Sequence, residues 1–124
     1  MENFEIEDRD SYIYVKFSSK LDKGEITKAG EAAKKIIATK PNINVLIDDT
    51  AIRYKDLSAA NKLESIEALR VIHKQPRTAA VIAPEDDKLV YYAQFALTYA
   101  KIKKMKITHD LDEAIAWVSG KTSE

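Results

Sequence analysis

Three acidic side chains and a serine lie close together in the stretch from Ile43 to Leu63. Asp48 and Asp49 follow a short apolar run rich in β-branched residues, and Asp56 and Ser58 come just before a helical pattern. Carboxylate oxygens are the ligands that hard divalent cations prefer, so the three aspartates are candidate metal ligands. Their spacing matches no metal-binding motif, and no histidine lies nearby. We therefore predict neither a metal site nor a cofactor.

Ser58 has two interpretations that its position alone leaves open. At the start of a helix, free backbone N–H groups and the helix dipole would stabilise a phosphate added to the hydroxyl. The same position suits a simple N-cap, in which the hydroxyl accepts a hydrogen bond from the first turn. If the helix start is a contact surface, Asp56, Ser58, Asn61 and Lys62 are the residues that would reach a protein partner.

Aromatic residues concentrate in one later helical segment. Tyr91, Phe95 and Tyr99 recur every four residues, so they share one side of the helix, and Tyr92 lies beside them. The other sides of this helix are already apolar, so its surface must be covered widely. The four aromatic residues either complete the core, form a dimer face or line a pocket for an apolar small molecule or lipid. The chain is accordingly expected to be a monomer or a homodimer.

No catalytic constellation is visible in the sequence. His73 and His109 fall in different predicted elements, and neither belongs to a nucleophile–base–carboxylate series or an HExxH helix. The chain has no cysteine, which excludes thiol catalysis and cysteine-bound metal. We therefore predict a protein that is not an enzyme.

The elements that position these residues follow from the apolar pattern. We predict the order β-β-α-β-α-β-α-β-α, which is a five-stranded, mixed, mostly parallel sheet with four helices and an antiparallel initial hairpin. The strand at Tyr12–Phe17 alternates between two faces. Asp22 and Glu25 fit a capping box at the first helix. The second helix is predicted from about Ala59 to Lys74, and its buried side is predicted to consist of Leu63, Ile66, Leu69 and Ile72.

Composition narrows the class of protein. A chain of 124 residues is predicted to form one domain, 1–124. Twenty basic and twenty acidic residues cancel, which argues against nucleic acid as a main partner. No apolar run is long enough to span a membrane, and the acidic N-terminus does not resemble a signal peptide. With no cysteine, these features predict a cytoplasmic protein.

The segment VLIDDTAIRYKDLSAA, residues 45–60, resembles the central segment of STAS domains, the anti-sigma-factor antagonist fold. The resemblance implies that Ser58 occupies the phosphorylated position of that family, with Asp56 beside it. It also implies a regulatory protein-binding function, with a kinase or an anti-sigma-type regulator as the partner. The chain departs from the family pattern at Leu57 and Ala59, where the family has a serine and a glycine.

The second half of the chain is similar to the SpoIIAA-like branch of this family, also described as STAS/Sec14-like. The segments RTAAVIAPEDD and ITHDLDEAIAWV carry the likeness. They match the basic residue, apolar strand and polar turn of that branch and its closing strand and helix. The resemblance therefore implies a SpoIIAA-like fold over nearly the whole chain.

Overall fold

One five-stranded sheet organises the protein, whose computed structural model describes residues 3–120. The strands are β1 (Phe4–Asp8), β2 (Tyr12–Phe17), β3 (Asn44–Asp49), β4 (Thr78–Ile82) and β5 (Met105–Thr108). The helices are α1 (Glu25–Thr39), α2 (Ala59–Leu69), α3 (Asp87–Tyr99) and α4 (Leu111–Val118), with a short 3₁₀ turn at Tyr54–Asp56 before α2. The predicted element order and fold class are confirmed.

The strands lie side by side in chain order, from β1 to β5. β1 runs antiparallel to β2, with Phe4 opposite Phe17, and all other neighbours are parallel. Crossovers between parallel strands are almost always right-handed, so three steps in the same direction place α1, α2 and α3 on one face of the sheet. The last helix, α4, packs on the opposite face. None of the helices described within residues 3–120 is both long and apolar enough to cross a membrane.

Alternation along β2 divides the core into two layers. Ile13, Val15 and Phe17 pack under α1, α2 and α3, whereas Tyr12 and Tyr14 pack with α4. Both sets are buried because helices cover both faces. The predicted division of this strand into two faces is confirmed.

The start of α1 differs from the predicted capping box. Gly24 is the N-cap, in a left-handed conformation with φ of 89° that suits glycine. Its backbone N–H donates to Glu64 Oε2 at 2.9 Å, so a side chain from α2 satisfies the helix end. Asp22 instead accepts a hydrogen bond from the Asn3 side chain. The capping-box prediction for Asp22 and Glu25 is therefore wrong, because a residue distant in sequence supplies the acceptor.

The helix α2 ends five residues before the predicted Lys74, at Leu69. Backbone N–H groups of residues 70–72 bond to carbonyls three residues earlier, so the chain tightens into turns. The buried Gln75 side chain then donates to the carbonyls of Pro41 and Ile43 and holds this segment at the start of β3. Leu63, predicted on the buried side of the helix, is 64% exposed.

Candidate functional site

The two adjacent aspartates at the end of β3 point to opposite faces of the sheet, as alternation along a strand requires. Asp48 is buried on the α4 face beside Tyr14, and Asp49 lines a cavity on the face that α1, α2 and α3 cover. Asp56 is exposed on the 3₁₀ turn. The three carboxylates considered as metal ligands therefore do not converge. Within residues 3–120, no group of three acidic or histidine side chains is placed to hold a metal ion.

Asp48 takes part in a closed hydrogen-bond cluster. Its Oδ2 accepts from the Tyr14 hydroxyl at 2.6 Å, and its Oδ1 accepts from the backbone N–H and hydroxyl of Thr50 at 3.1 and 2.7 Å. Burial would raise the pKa of Asp48, but the hydrogen bonds from Thr50 and Tyr14, with the charge of Lys16, lower it below its ordinary value. Burial and the Asp48 hydrogen bond raise the pKa of Tyr14. Asp48 thus fixes the end of β3.

A cavity of about 120 Å³ lies between the sheet and the three helices α1, α2 and α3, and it is partly open to the surface. Small residues explain the empty space, because the elements around it meet without side chains large enough to fill it. These small residues are Ala29, Gly30, Ala33, Ala68, Ala80, Ala93 and Ala96. An engineered protein cavity of about 150 Å³ with an apolar wall binds benzene, so this cavity has room for a molecule of roughly six non-hydrogen atoms.

Three polar side chains line this otherwise apolar cavity: Asp49, Ser65 and Tyr92. The hydroxyls of Ser65 and Tyr92 lie 2.6 Å apart, and both bond to the backbone carbonyl of Lys62, at 2.7 and 2.8 Å. Burial is the main reason why the pKa of Tyr92 is raised. The polar end of the cavity is therefore formed jointly by β3, α2 and α3.

Asp49 differs from the other polar residues of the cavity because its carboxylate accepts no hydrogen bond from any residue of the range 3–120. Burial, and then the nearby charge of Asp48, raise its pKa from 3.8 to about 7, although the residue as a whole is only partly buried. A carboxyl group that faces an apolar cavity without a partner is unusual, because uncompensated charge in apolar surroundings is strongly unfavourable. Asp49 is therefore the chemically distinctive group of the cavity.

The sequence did not lead us to single out Asp49 as a cavity residue. A signal was present, since alternation along β3 separates it from Asp48 and directs it to the helix-covered face. The cavity itself depends on alanines that are dispersed over three helices and a strand. Only the assembled fold brings these small residues around one carboxyl group.

Ser58 is the N-cap of α2 and forms a reciprocal capping box. Its hydroxyl accepts the Asn61 backbone N–H at 3.0 Å, and its own backbone N–H donates to Asn61 Oδ1 at 3.1 Å. Ser58 and Asp56 are exposed, whereas Asn61 is only 5% exposed. Asn61 was predicted to reach a partner; that prediction is wrong because the capping box holds its side chain inside. Lys62 is half-buried, with its ammonium 3.1 Å from the Tyr54 hydroxyl.

The predicted aromatic cluster of α3 is divided between two sides of the helix. Tyr91, Phe95 and Tyr99 are 74%, 57% and 56% exposed, and the Phe95 and Tyr99 rings stack at 5.8 Å. Tyr92 points inward to the cavity. The prediction of one pocket shared by the four residues is therefore wrong, as is the alternative that the three outer aromatics complete the core. Successive residues of a helix point about 100° apart, so Tyr92 faces inward although its neighbour Tyr91 faces outward.

Comparison with known proteins identifies the fold. No family model and no curated protein matches the chain. Among solved structures, it is similar to an uncharacterized protein of the DUF3478 family from Shewanella loihica PV-4, described as having a SpoIIAA-like fold. The sequences are 22% identical, the TM-score is 0.67, and the match covers 93% of this chain and 91% of the other. Such a likeness shows architecture and leaves activity open. The chain therefore has the SpoIIAA-like α/β fold that its sequence segments predicted.

Proposed function

We propose that this chain is a non-catalytic binding protein that holds a small, mostly apolar molecule between its sheet and helices α1, α2 and α3. The observation that carries the proposal is the cavity of about 120 Å³ with one polar end. The proposal keeps the apolar small molecule suggested by the sequence but moves its site to the inner side of α3. Of the residues predicted for that pocket, Tyr92 contributes, and Tyr91, Phe95 and Tyr99 do not.

The energetic cost of such a cavity supports a binding role. Empty space in a closed protein core destabilises it by about 24 cal/mol per Å³, so a void of this size, which is partly open to the surface, costs at most about 3 kcal/mol. That is a large share of the roughly 5–15 kcal/mol by which small domains are stable. A single Ala→Leu exchange in the wall would reduce the void. The presence of so many small residues around one carboxyl group is explained if a ligand occupies the space.

A methyl NMR titration with benzene tests the proposal. Benzene has the size that fits the cavity, so its binding should shift the methyl signals of Ile47 and Leu69, which line the wall. The methyl groups of the exposed Leu63 provide an internal reference and should not shift. If the signals of Ile47 and Leu69 do not change up to the solubility limit of benzene in water, the proposal is contradicted.

Matched variants connect the binding to the cavity. Ala93→Leu adds three carbon atoms on the cavity side of α3 and should weaken benzene binding at least about tenfold, since it fills the space that the ligand needs. Ala60→Leu makes the same exchange at an exposed position of α2 and should leave binding unchanged. Equal loss in both variants would mean that benzene binds elsewhere or that the helices respond globally.

We propose as a second function that the start of α2 contacts a regulatory protein partner, with phosphorylation of Ser58 modulating the contact. The exposure of Asp56 and Ser58, together with the exposed Leu63 on the same helix, favours this function because these residues offer a mixed polar and apolar surface. A phosphate on Ser58 would add negative charge next to the free N–H groups of the helix start. A kinase or an anti-sigma-type regulator is the partner that the sequence resemblance suggests.

Incubation with cell lysate and intact-mass measurement tests this second function. The wild-type chain should gain the mass of one phosphate, and Ser58→Asn should not. Asparagine is as good an N-cap as serine, so this variant removes the phosphorylatable hydroxyl without loss of the helix cap. Absence of the added mass in wild type, or an identical gain in Ser58→Asn, would contradict modulation at Ser58.

A further inference from the structure

We propose that Asp49 selects the ligand, so that the cavity takes a small apolar molecule carrying one protonated amine. This inference rests on the proposed binding function and specifies the chemistry of the ligand. The geometry behind it is a partly buried carboxyl group that lines an apolar cavity and has no hydrogen-bond or ion-pair partner among residues 3–120. A carboxylate accepts hydrogen bonds, and an ammonium group supplies both donors and the opposite charge.

The neighbouring hydroxyls do not satisfy Asp49. The Ser65 and Tyr92 hydroxyls have one proton each, and the Lys62 carbonyl lies within hydrogen-bond distance of both, at 2.7 and 2.8 Å. The Ser65 and Tyr92 hydroxyl oxygens also lie 2.6 Å from each other, so the two hydroxyls and the Lys62 carbonyl bond among themselves. No proton of this set remains for the carboxylate. A donor for Asp49 must therefore come from outside the protein.

The charges around the cavity favour a cation over an anion. Among residues 3–120, the titratable side chains that line the cavity are Asp49 and Tyr92, and no lysine or arginine lines the cavity. The side chains that α1, β2 and β4 contribute to the wall are apolar. The neighbouring charge that acts on Asp49 is Asp48, which is also negative, whereas the Lys62 ammonium acts on Tyr92 and does not line the cavity. An anionic head group would meet repulsion here, whereas an ammonium group would compensate for burial and for the Asp48 charge together.

Three probes of nearly equal shape distinguish these chemistries: cyclopentylamine, cyclopentanol and methylcyclopentane. Each has six non-hydrogen atoms, which matches the available volume. The amine is protonated near neutral pH, as a lysine side chain is. NMR titration of the wild-type protein at pH 7.5 should give the amine an affinity roughly tenfold to a hundredfold above that of methylcyclopentane, as expected for a hydrogen bond to a charged group.

The Asp49→Asn variant tests whether the carboxylate causes this preference. Asparagine has nearly the same shape but no charge, so the amine should lose its advantage while methylcyclopentane binds as before. An advantage of the amine that persists in Asp49→Asn would overturn the inference, as would an amine that binds wild type no better than methylcyclopentane. Failure of all three probes to bind would instead overturn the proposed function itself.

A measurement on the wild-type protein removes any dependence on the folding of the variant. The side-chain carboxyl ¹³C signal of Asp49 can be followed between pH 5 and pH 9, with and without cyclopentylamine. A bound ammonium group stabilises the ionised carboxylate, so the amine should lower the pKa of Asp49, and methylcyclopentane should not. A pKa that is the same with the amine as without it would overturn the inference.

Discussion

Replacement of Asp49 with asparagine separates the charge of this side chain from its shape. The pKa of Asp49 is about 7 in the folded protein, compared with 3.8 for an ordinary aspartate. Each pKa unit corresponds to about 1.36 kcal/mol, so ionisation of Asp49 removes up to about 4 kcal/mol of folding free energy. The neutral carboxyl and the amide are similar in size, and both lack a partner in the cavity.

The sign of the pH dependence follows from proton binding. Between about pH 4 and pH 7, the folded protein keeps a proton on Asp49 that the unfolded chain has lost, so the free energy of unfolding falls as pH rises. The contribution of Asp49 is fully present below the unfolded pKa and is lost once pH exceeds the folded pKa. Asp49→Asn should thus be about as stable as wild type at pH 4 and up to about 4 kcal/mol more stable at pH 8.

Urea unfolding at pH 4, 5, 6, 7 and 8 measures this difference. The neighbouring Asp48→Asn variant is the matched control, because the pKa of Asp48 is shifted in the opposite direction. Its hydrogen bonds stabilise the ionised form, so Asp48→Asn should be less stable than wild type at neutral pH. It should still lose stability as pH rises from about 4 to 7, because burial, the main cause of the raised pKa of Asp49, remains in this variant. A constant difference between wild type and Asp49→Asn over the whole range would refute the account of Asp49.

Three further changes test other contacts. Ser58→Ala should destabilise the protein by about 1 kcal/mol through loss of the cap, whereas Ser58→Asn should not; equal stability of all three proteins in urea would contradict the capping box. Tyr14→Phe removes the 2.6 Å hydrogen bond to Asp48, so it should lower the free energy of unfolding by roughly 1.5–3 kcal/mol and raise the pKa of Asp48 in carboxyl NMR. An unchanged pKa of Asp48 would contradict this role of the hydrogen bond. Gly30→Val should destabilise the protein by about 1–3 kcal/mol, because even a Cβ at Gly30 would lie 3.3 Å from the Ala68 Cβ. Thermal unfolding measures this loss, and an unchanged midpoint would show that α1 and α2 separate easily.

The fold was accessible from the sequence because local pattern and overall architecture agree. The alternation of Tyr12–Phe17 predicts a strand whose residues divide between two faces, and in the structure the two sets pack in different layers of the core. The serine before α2 was predicted as a helix start, and it caps that helix. Such features depend on residues within a few positions of one another, which a sequence displays directly.

The parts that were missed depend on residues far apart in the chain. The acceptor for Gly24 is Glu64, which is 40 positions away, so no local motif announces it. The cavity arises where small residues of α1, α2 and α3 meet, and a sequence does not reveal which alanines face one another. The sequence left open whether Tyr91 is covered by the core or exposed, because apolar periodicity marks a face without stating what covers it.

A crystal structure of the protein grown with cyclopentylamine is the most direct test of the central claim, that the space between the sheet and the helices is a ligand site. The account predicts one amine molecule in the cavity, with its nitrogen roughly 2.7–3.2 Å from a carboxylate oxygen of Asp49 and its ring against the small residues of the wall. Helices packed together without the cavity, or an amine bound only at the outer surface, would contradict it.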